Sequence, residues 1–244
     1  MELTLDKVTK EFGKFRAVDR VSLHLAGGVH GLLGVNGAGK TTLMRMLCTM
    51  MHPTGGTITY DGKEIFSLDQ EYRKILGYLP QEFGYYPELT VEDYLMYIAS
   101  IKGIRTPVAR RRIFMLLDMV GMKGEKGKKM KRLSGGMKRR IGIAQAMLND
   151  PKILILDEPT AGLDPMERIR FRNLIENMAE DRIVLLSTHI VSDIEAIAKQ
   201  VFLMNEGRIV GEGSVADICQ RIGTNTLEDV VLHYFGERGG ENRA

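Results

Sequence analysis

Tryptophan is absent from this chain of 244 residues, cysteine occurs only twice, and neither sign of charge dominates: 34 Lys and Arg face 31 Asp and Glu, a formal net charge of +3. Each scarcity excludes a class of protein. Cys48 and Cys219 lack the paired spacing of a disulfide framework or of a thiolate metal site, so the chain reads as a protein of a reducing compartment. So slight a positive excess leaves no footprint for a nucleic-acid backbone, and no nucleic-acid partner is expected. Long apolar runs are missing as well. The uncharged window Val21–Gly39 has the length of a bilayer span, yet it holds six glycines, two histidines and an asparagine. Such a segment makes a poor helix in lipid, and its Val21-Leu23-Leu25 alternation is that of a strand. Met1–Lys10 is polar and charged, so no secretory leader is expected.

What remains is the composition of an ordinary globular α/β chain without internal repeats, 44% hydrophobic and 27% charged. The first part reads as short strands with tight turns: Leu3-Thr4-Leu5, Gly27-Gly28 as a turn, then Thr57–Tyr60 running into the hairpin signal Asp61-Gly62. Val29–Leu33 is expected as a strand feeding a glycine loop, and Lys40–Met50 as the helix after it. From Phe83 to Leu148 the periodicity turns helical. Thr90 with Asp93 forms a capping box ahead of Val91, Tyr94, Leu95 and Ile98. Thr106-Pro107 opens a second helix with a stripe at Ile113, Leu116, Leu117 and Val120, which Gly121 stops. Ser134 can cap a third, carrying Met137, Ile141, Ala144 and Leu148. A strand Ile153–Leu156, a helix from Pro165, a strand Ile183–Ser187 and a helix from Ser192 then alternate, which argues for a mostly parallel sheet covered on both faces. A hairpin about Asn205-Glu206-Gly207 and two short helices follow, the second capped by Thr226.

Three segments carry chemistry. Gly34–Thr41 (GVNGAGKT) fits GxxxxGK[ST] between an expected strand and helix. Its glycines let backbone N–H groups close on phosphates, and the helix adds its positive end. Ile153–Leu156 reads as a strand buried on both faces that delivers Asp157 and Glu158 at its C-terminal edge, beside those phosphates. Ser134-Gly135-Gly136 opens a helix whose hydroxyl and free N–H groups favour an anion. Two further stretches stay open to more than one reading. Lys123–Arg132 is either a solvated basic loop or a patch that attracts anions, and Phe83, Tyr85 and Tyr86 are either core or interface aromatics.

Lys40 lies 94 positions before Ser134 (134 − 40), and Ile153 lies 19 after it (153 − 134). In this order and at this spacing the three segments resemble the ATP-binding cassette of ABC transporters, from the first residue to roughly Glu212. The resemblance implies an α/β fold, a P-loop NTPase core with a mostly parallel sheet. It adds an antiparallel β subdomain and a helical subdomain inserted at about 83–148. The cassette would occupy 1–213 and a helical tail 214–244, with Gly236–Ala244 expected to lack fixed structure. The same resemblance implies a role for each matching residue. Asn36, Gly37, Ala38, Gly39, Lys40, Thr41 and Thr42 would cradle the phosphates of ATP. Thr41, Gln81 and Asp157 would hold Mg²⁺. Glu158 would polarise the attacking water, with Gln81 and His189 completing the catalytic set. Ser134, Gly135 and Gly136 would bind the ATP of a second cassette, and Asp164 would cross to that partner. Phe12 stands where the family often has a tyrosine that stacks on adenine, and stacks without its hydroxyl; Val35 stands where proline is frequent.

The implied assembly is a homodimer or a heterodimer with a sister cassette, held by a transmembrane permease on the cytoplasmic face of the membrane. Phe83, Tyr85 and Tyr86 would meet that permease. LSGGMKRR, PTAGLDP and TLEDVVLHYFG are similar to the branch serving ABC-2-type exporters, which implies export. The rival reading is a soluble ABC ATPase of DNA maintenance or of ribosomes. Against it stand the absence of a long insertion between the glycine loop and Ser134 and of a second cassette.

Overall fold

The computed structural model describes residues 1–236. In chain order its elements are β1 (Leu3–Phe12), β2 (Phe15–Leu25), β3 (Gly28–Leu33), α1 (Lys40–Leu47), β4 (Gly55–Tyr60), β5 (Lys63–Glu64), α2 (Ile65–Leu68), α3 (Gln70–Lys74) and β6 (Leu76–Leu79). Then come α4 (Val91–Ile101), α5 (Thr106–Met119), α6 (Gly135–Met147), β7 (Ile153–Asp157), α7 (Pro165–Met178), β8 (Ile183–Thr188), β9 (Gln200–Asn205), β10 (Arg208–Gly213), α8 (Val215–Ile222) and α9 (Leu227–Gly236).

Two sheets result. An antiparallel sheet runs β2-β1-β4-β5, and a second runs β10-β9-β3-β8-β7-β6, parallel except for the β9–β10 hairpin. That hairpin turns at Glu206-Gly207, both at positive φ, the twist a tight hairpin favours. The period-2 alternation of the strands divides the interior. Ile153, Ile155, Ile183 and Leu185 face a core shared with α1 and the antiparallel sheet, while Leu154, Leu156, Val184 and Leu186 face the core built with α4–α7. Both faces of β7 and β8 are therefore dry, which is why these strands read as unbroken apolar runs. α4, α5 and α6 all lie between β6 and β7, neighbouring strands of one sheet. The chain leaves the sheet edge, builds a helical layer and returns beside the strand it left.

Local chemistry sets the ends. The Thr90 hydroxyl accepts the Asp93 N–H at 3.1 Å and donates to the Asp93 carboxylate at 2.7 Å. Ser134 and Asp164 cap α6 and α7 by accepting from the Met137 and Glu167 N–H groups. Two expectations fail. The helix from Lys40 stops at Leu47 rather than Met50, because Thr49 takes φ +55 and turns the chain away. No helix starts at Ser192: Val191–Asp193 is a single 3₁₀ turn. Asp193 is buried with its carboxylate engaged by the Thr160 hydroxyl, and the Arg172 guanidinium takes the Ser192 carbonyl at 2.5 Å, so the segment is held to the core rather than coiled along its own axis. The stretch expected to lack fixed structure lies, past Gly236, outside the described residues. Among the described residues no helix is long and apolar enough to cross a membrane.

Candidate functional site: a phosphate cleft and its paired carboxylates

The glycine loop joins β3 to α1. Gly34 and Gly39 have no room for a side chain: an added Cβ would lie 2.4 Å from the Met204 carbonyl oxygen and 2.3 Å from that of Ala17. Gly39 also stands at φ +104, which glycine alone adopts readily. As N-cap of α1 it brings no side-chain acceptor, so the first N–H groups of the helix stay available to an anion. Residues Asn36–Thr42 line an open cleft of about 440 Å³, which Phe15, Ala17, Gln81 and Glu158 complete. Lys40 is almost buried. Its ammonium donates to the carbonyls of Gly34 (2.6 Å) and Val35 (3.2 Å) and stands 3.5 Å from Glu158 Oε1.

Asp157 ends β7 with no exposed surface. Its Oδ1 accepts from the Ser187 hydroxyl at 2.6 Å, whereas Oδ2 is buried without a hydrogen-bond partner. Glu158 follows at φ +46, an uncommon conformation for a residue with a side chain, and is 5% exposed. Its Oε2 lies 2.9 Å from His189 Nδ1; its Oε1 has no hydrogen-bond partner. Asp157 Oδ2 is thus buried without a partner, and Glu158 Oε1, which makes no hydrogen bond, faces only the Lys40 ammonium at 3.5 Å. Burying such an oxygen is costly unless something binds it. Among the described residues no three His, Cys, Asp or Glu cluster as a metal site. A divalent cation arriving with phosphates needs fewer protein donors; the Thr41 hydroxyl lines the cleft, and Asp157 Oδ2, in the residue before the cleft-lining Glu158, is a free hard oxygen of the kind it prefers, although Asp157 itself does not line the cleft.

The remaining candidates sit elsewhere. Ser134, Gly135, Gly136 and Asp164 do not line this cleft. Gly136 is packed against the Glu167 carboxylate of α7, whose Oε2 would lie 2.0 Å from an added Cβ. Phe12 and Phe15 pair across the β1–β2 turn; Phe15 lines the cleft, while Phe12 is half-exposed with the Lys10 ammonium 5.4 Å above its ring.

The profile of the ABC transporter family matches residues 18–161, more than half of the chain. The chain belongs to the ABC transporter family. It is 37% identical to the Nod factor export ATP-binding protein I of Paraburkholderia xenovorans, over 93% of this chain and 75% of that protein. It is 38% identical to the bacitracin transport ATP-binding protein BcrA of Bacillus licheniformis, over 84% of this chain and 67% of that one. A solved structure described as the ATP binding subunit of an ABC transporter superposes with a TM-score of 0.84 at 26% identity, covering 96% of this chain and 99% of that chain. This ABC cassette is therefore an ATP-binding transporter subunit of the P-loop fold, an ATPase coupled to transport.

Three groups in the cassette went unnoticed in the sequence. Ser187 joins the paired carboxylates: its hydroxyl donates to Asp157 and accepts the Glu158 N–H at 3.0 Å. A polar residue ending the apolar run of β8 was the available signal. Thr160 and Asp193, both buried, tie the turn after Glu158 to the turn after His189. Arg139, in the second turn of α6, is buried although it has no carboxylate partner, and burial pulls its guanidinium below the usual value. Its hydrogen bonds all go to backbone carbonyls on the two sides of the cleft floor.

Proposed function

We propose that this cassette hydrolyses MgATP at an interface between two cassettes and so drives a transmembrane permease in export. The observation that carries the reading is the Glu158 carboxylate: nearly buried, lining the phosphate cleft, with one oxygen 3.5 Å from the Lys40 ammonium and the other 2.9 Å from His189. Lys40 and the N–H groups of 36–42 bind the β- and γ-phosphates. Glu158 takes the proton of the attacking water, and His189 orients Glu158 and the γ-phosphate. Thr41, Asp157 and Gln81 would hold Mg²⁺, which supplies neutralising charge to the phosphates. The base lies against the aromatic pair of the β1–β2 hairpin, Phe12 and Phe15.

On this reading Ser134–Gly136, which do not line their own chain's cleft, complete the site of a second cassette. The capped helix end suits the γ-phosphate of a nucleotide held by a second cassette, identical or sister, with Asp164 at the crossing. The cassette would comprise 1–213 with the helical layer at about 83–148, and the permease would hold it at the cytoplasmic face. The relative named for Nod factor export supports export, and the one named for bacitracin transport supports transport. The test is Glu158→Gln. It should keep ATP binding and lose turnover by about 10²-fold or more; wild-type turnover would remove Glu158 from the mechanism.

A further inference from the structure

A guanidinium carries five N–H donors in a fixed plane. In Arg139 every one of them has a backbone carbonyl. Nε donates to Pro159 (2.8 Å), Nη1 to Pro80 (3.2 Å) and Gln81 (2.7 Å), and Nη2 to Asp157 (3.1 Å) and Glu158. These carbonyls belong to two segments, the turn after β6 and the end of β7 with the turn that follows it, and the two segments carry the side chains assigned to the γ-phosphate and water. Glu158 holds φ +46, a strained conformation for a residue with a side chain that persists only where neighbours impose it. Here Ser187 takes its N–H and Arg139 its carbonyl, so both ends of that residue are fixed from outside.

We propose that Arg139 is a positioning residue for hydrolysis: by clamping the Gln81 turn to the Glu158 turn it sets where both side chains stand over the phosphate cleft. Arg139 also sits in the helix that Ser134 caps. A shift of that helix end, when it meets a nucleotide, reaches Glu158 through one rigid side chain. The cis cleft and the trans contact are thereby connected through five hydrogen bonds rather than through a long path. This inference rests on the reading of the cleft as the hydrolytic site.

The experiment uses the purified full chain as Arg139→Ala, Arg139→Lys, Glu158→Gln and the double variant Glu158→Gln/Arg139→Ala, with a fluorescent ATP analogue for affinity. Arg139→Ala should bind the analogue within about 3-fold of wild type while kcat falls roughly 10- to 100-fold, the scale of a misplaced catalytic group. Millimolar guanidinium should restore part of that kcat where urea does not. In the double variant the Arg139 change should cost clearly less than it costs the wild type, since one of the two side chains it positions has already lost its function. Should Arg139→Ala fail to fold, Arg139→Lys decides: an ammonium cannot serve five carbonyls in a plane, so kcat should still fall with affinity unchanged. Wild-type kcat in the folded Arg139 variants would overturn the inference. So would fully additive losses, or parallel loss of affinity and kcat with a lowered Tm. A fully active Glu158→Gln would overturn the site reading and this inference together; an inactive Glu158→Gln beside an unaffected Arg139→Ala would overturn this inference alone.

Discussion

Glu158, Lys40 and His189 form a closed electrostatic group, with the ammonium against one carboxylate oxygen and the imidazole against the other. The neighbouring hairpin offers two rings for the base. Phe15 lines the cleft and Phe12 pairs with it, so Phe15→Ala should raise KM for ATP several-fold more than Phe12→Ala, with kcat nearly unchanged; the reverse ranking would place the base on Phe12. A second residue governs stability. His30 is buried in β3 with Nε2 at 2.7 Å from the Ala26 carbonyl, and burial holds its pKa below 6.5. The unfolded chain therefore takes up the proton first. Stability from the neutral ring is complete above pH about 6.5 and falls below it, by at most about 1.4 kcal/mol per pH unit. The urea midpoint should drop between about pH 7.5 and 5.5 in wild type and drop less in His30→Gln; equal slopes would clear His30.

At the scale of elements, α6 has two tasks. Its first turn is capped by Ser134, and its body is buried nearly all round, from Gly136 and Arg139 to Met147. Ser134→Ala should remove only about 1 kcal/mol of stability, a cap's worth, measured by chemical unfolding. Turnover should nevertheless fall at least tenfold while monomer affinity for ATP holds, because the trans contact is lost; equal turnover would reduce Ser134 to a cap. The element order was legible because Asp157-Glu158 follow a run that reads as a strand dry on both faces, and because a glycine loop with its lysine has few alternative uses. Arg139 was not legible. Its acceptors are carbonyls from turns 58 and 19 positions away (139 − 81 and 158 − 139), which leave no mark in side-chain pattern. The helix expected from Ser192 failed for a related reason, as the Asp193 carboxylate is drawn to Thr160. Tertiary partners decided both.

At the scale of the whole molecule, the aromatic segment after Gln81 divides. Phe83 and Tyr85 pack on the core, Tyr85 beneath the Lys138 ammonium at 4.8 Å, whereas Tyr86 is exposed and meets exposed Tyr97 edge to face at 5.1 Å. An exposed aromatic pair beside the cleft turn suits a partner surface. With the permease present, Tyr86→Ala/Tyr97→Ala should abolish transport and leave basal ATPase within about twofold; retained transport would move the coupling surface elsewhere.

Sheet order has a consequence of another kind, for synthesis. β3 pairs with β8 from Gly28↔Ile183 and with β9 from His30↔Gln200, so its two edges wait on residues 155 and 170 positions later (183 − 28 and 200 − 30). On the ribosome the antiparallel sheet can close once Glu64 emerges, because β1 finds β2 and β4 nearby and β5 follows β4 directly. The apolar β3 cannot. It leaves the tunnel early and stays unpaired while the helical layer is made, an open edge and a late, non-local closure. From residue 33 to residue 183 the chain offers β3 neither of its partner strands, so the central strand of the larger sheet is also among the last to be paired.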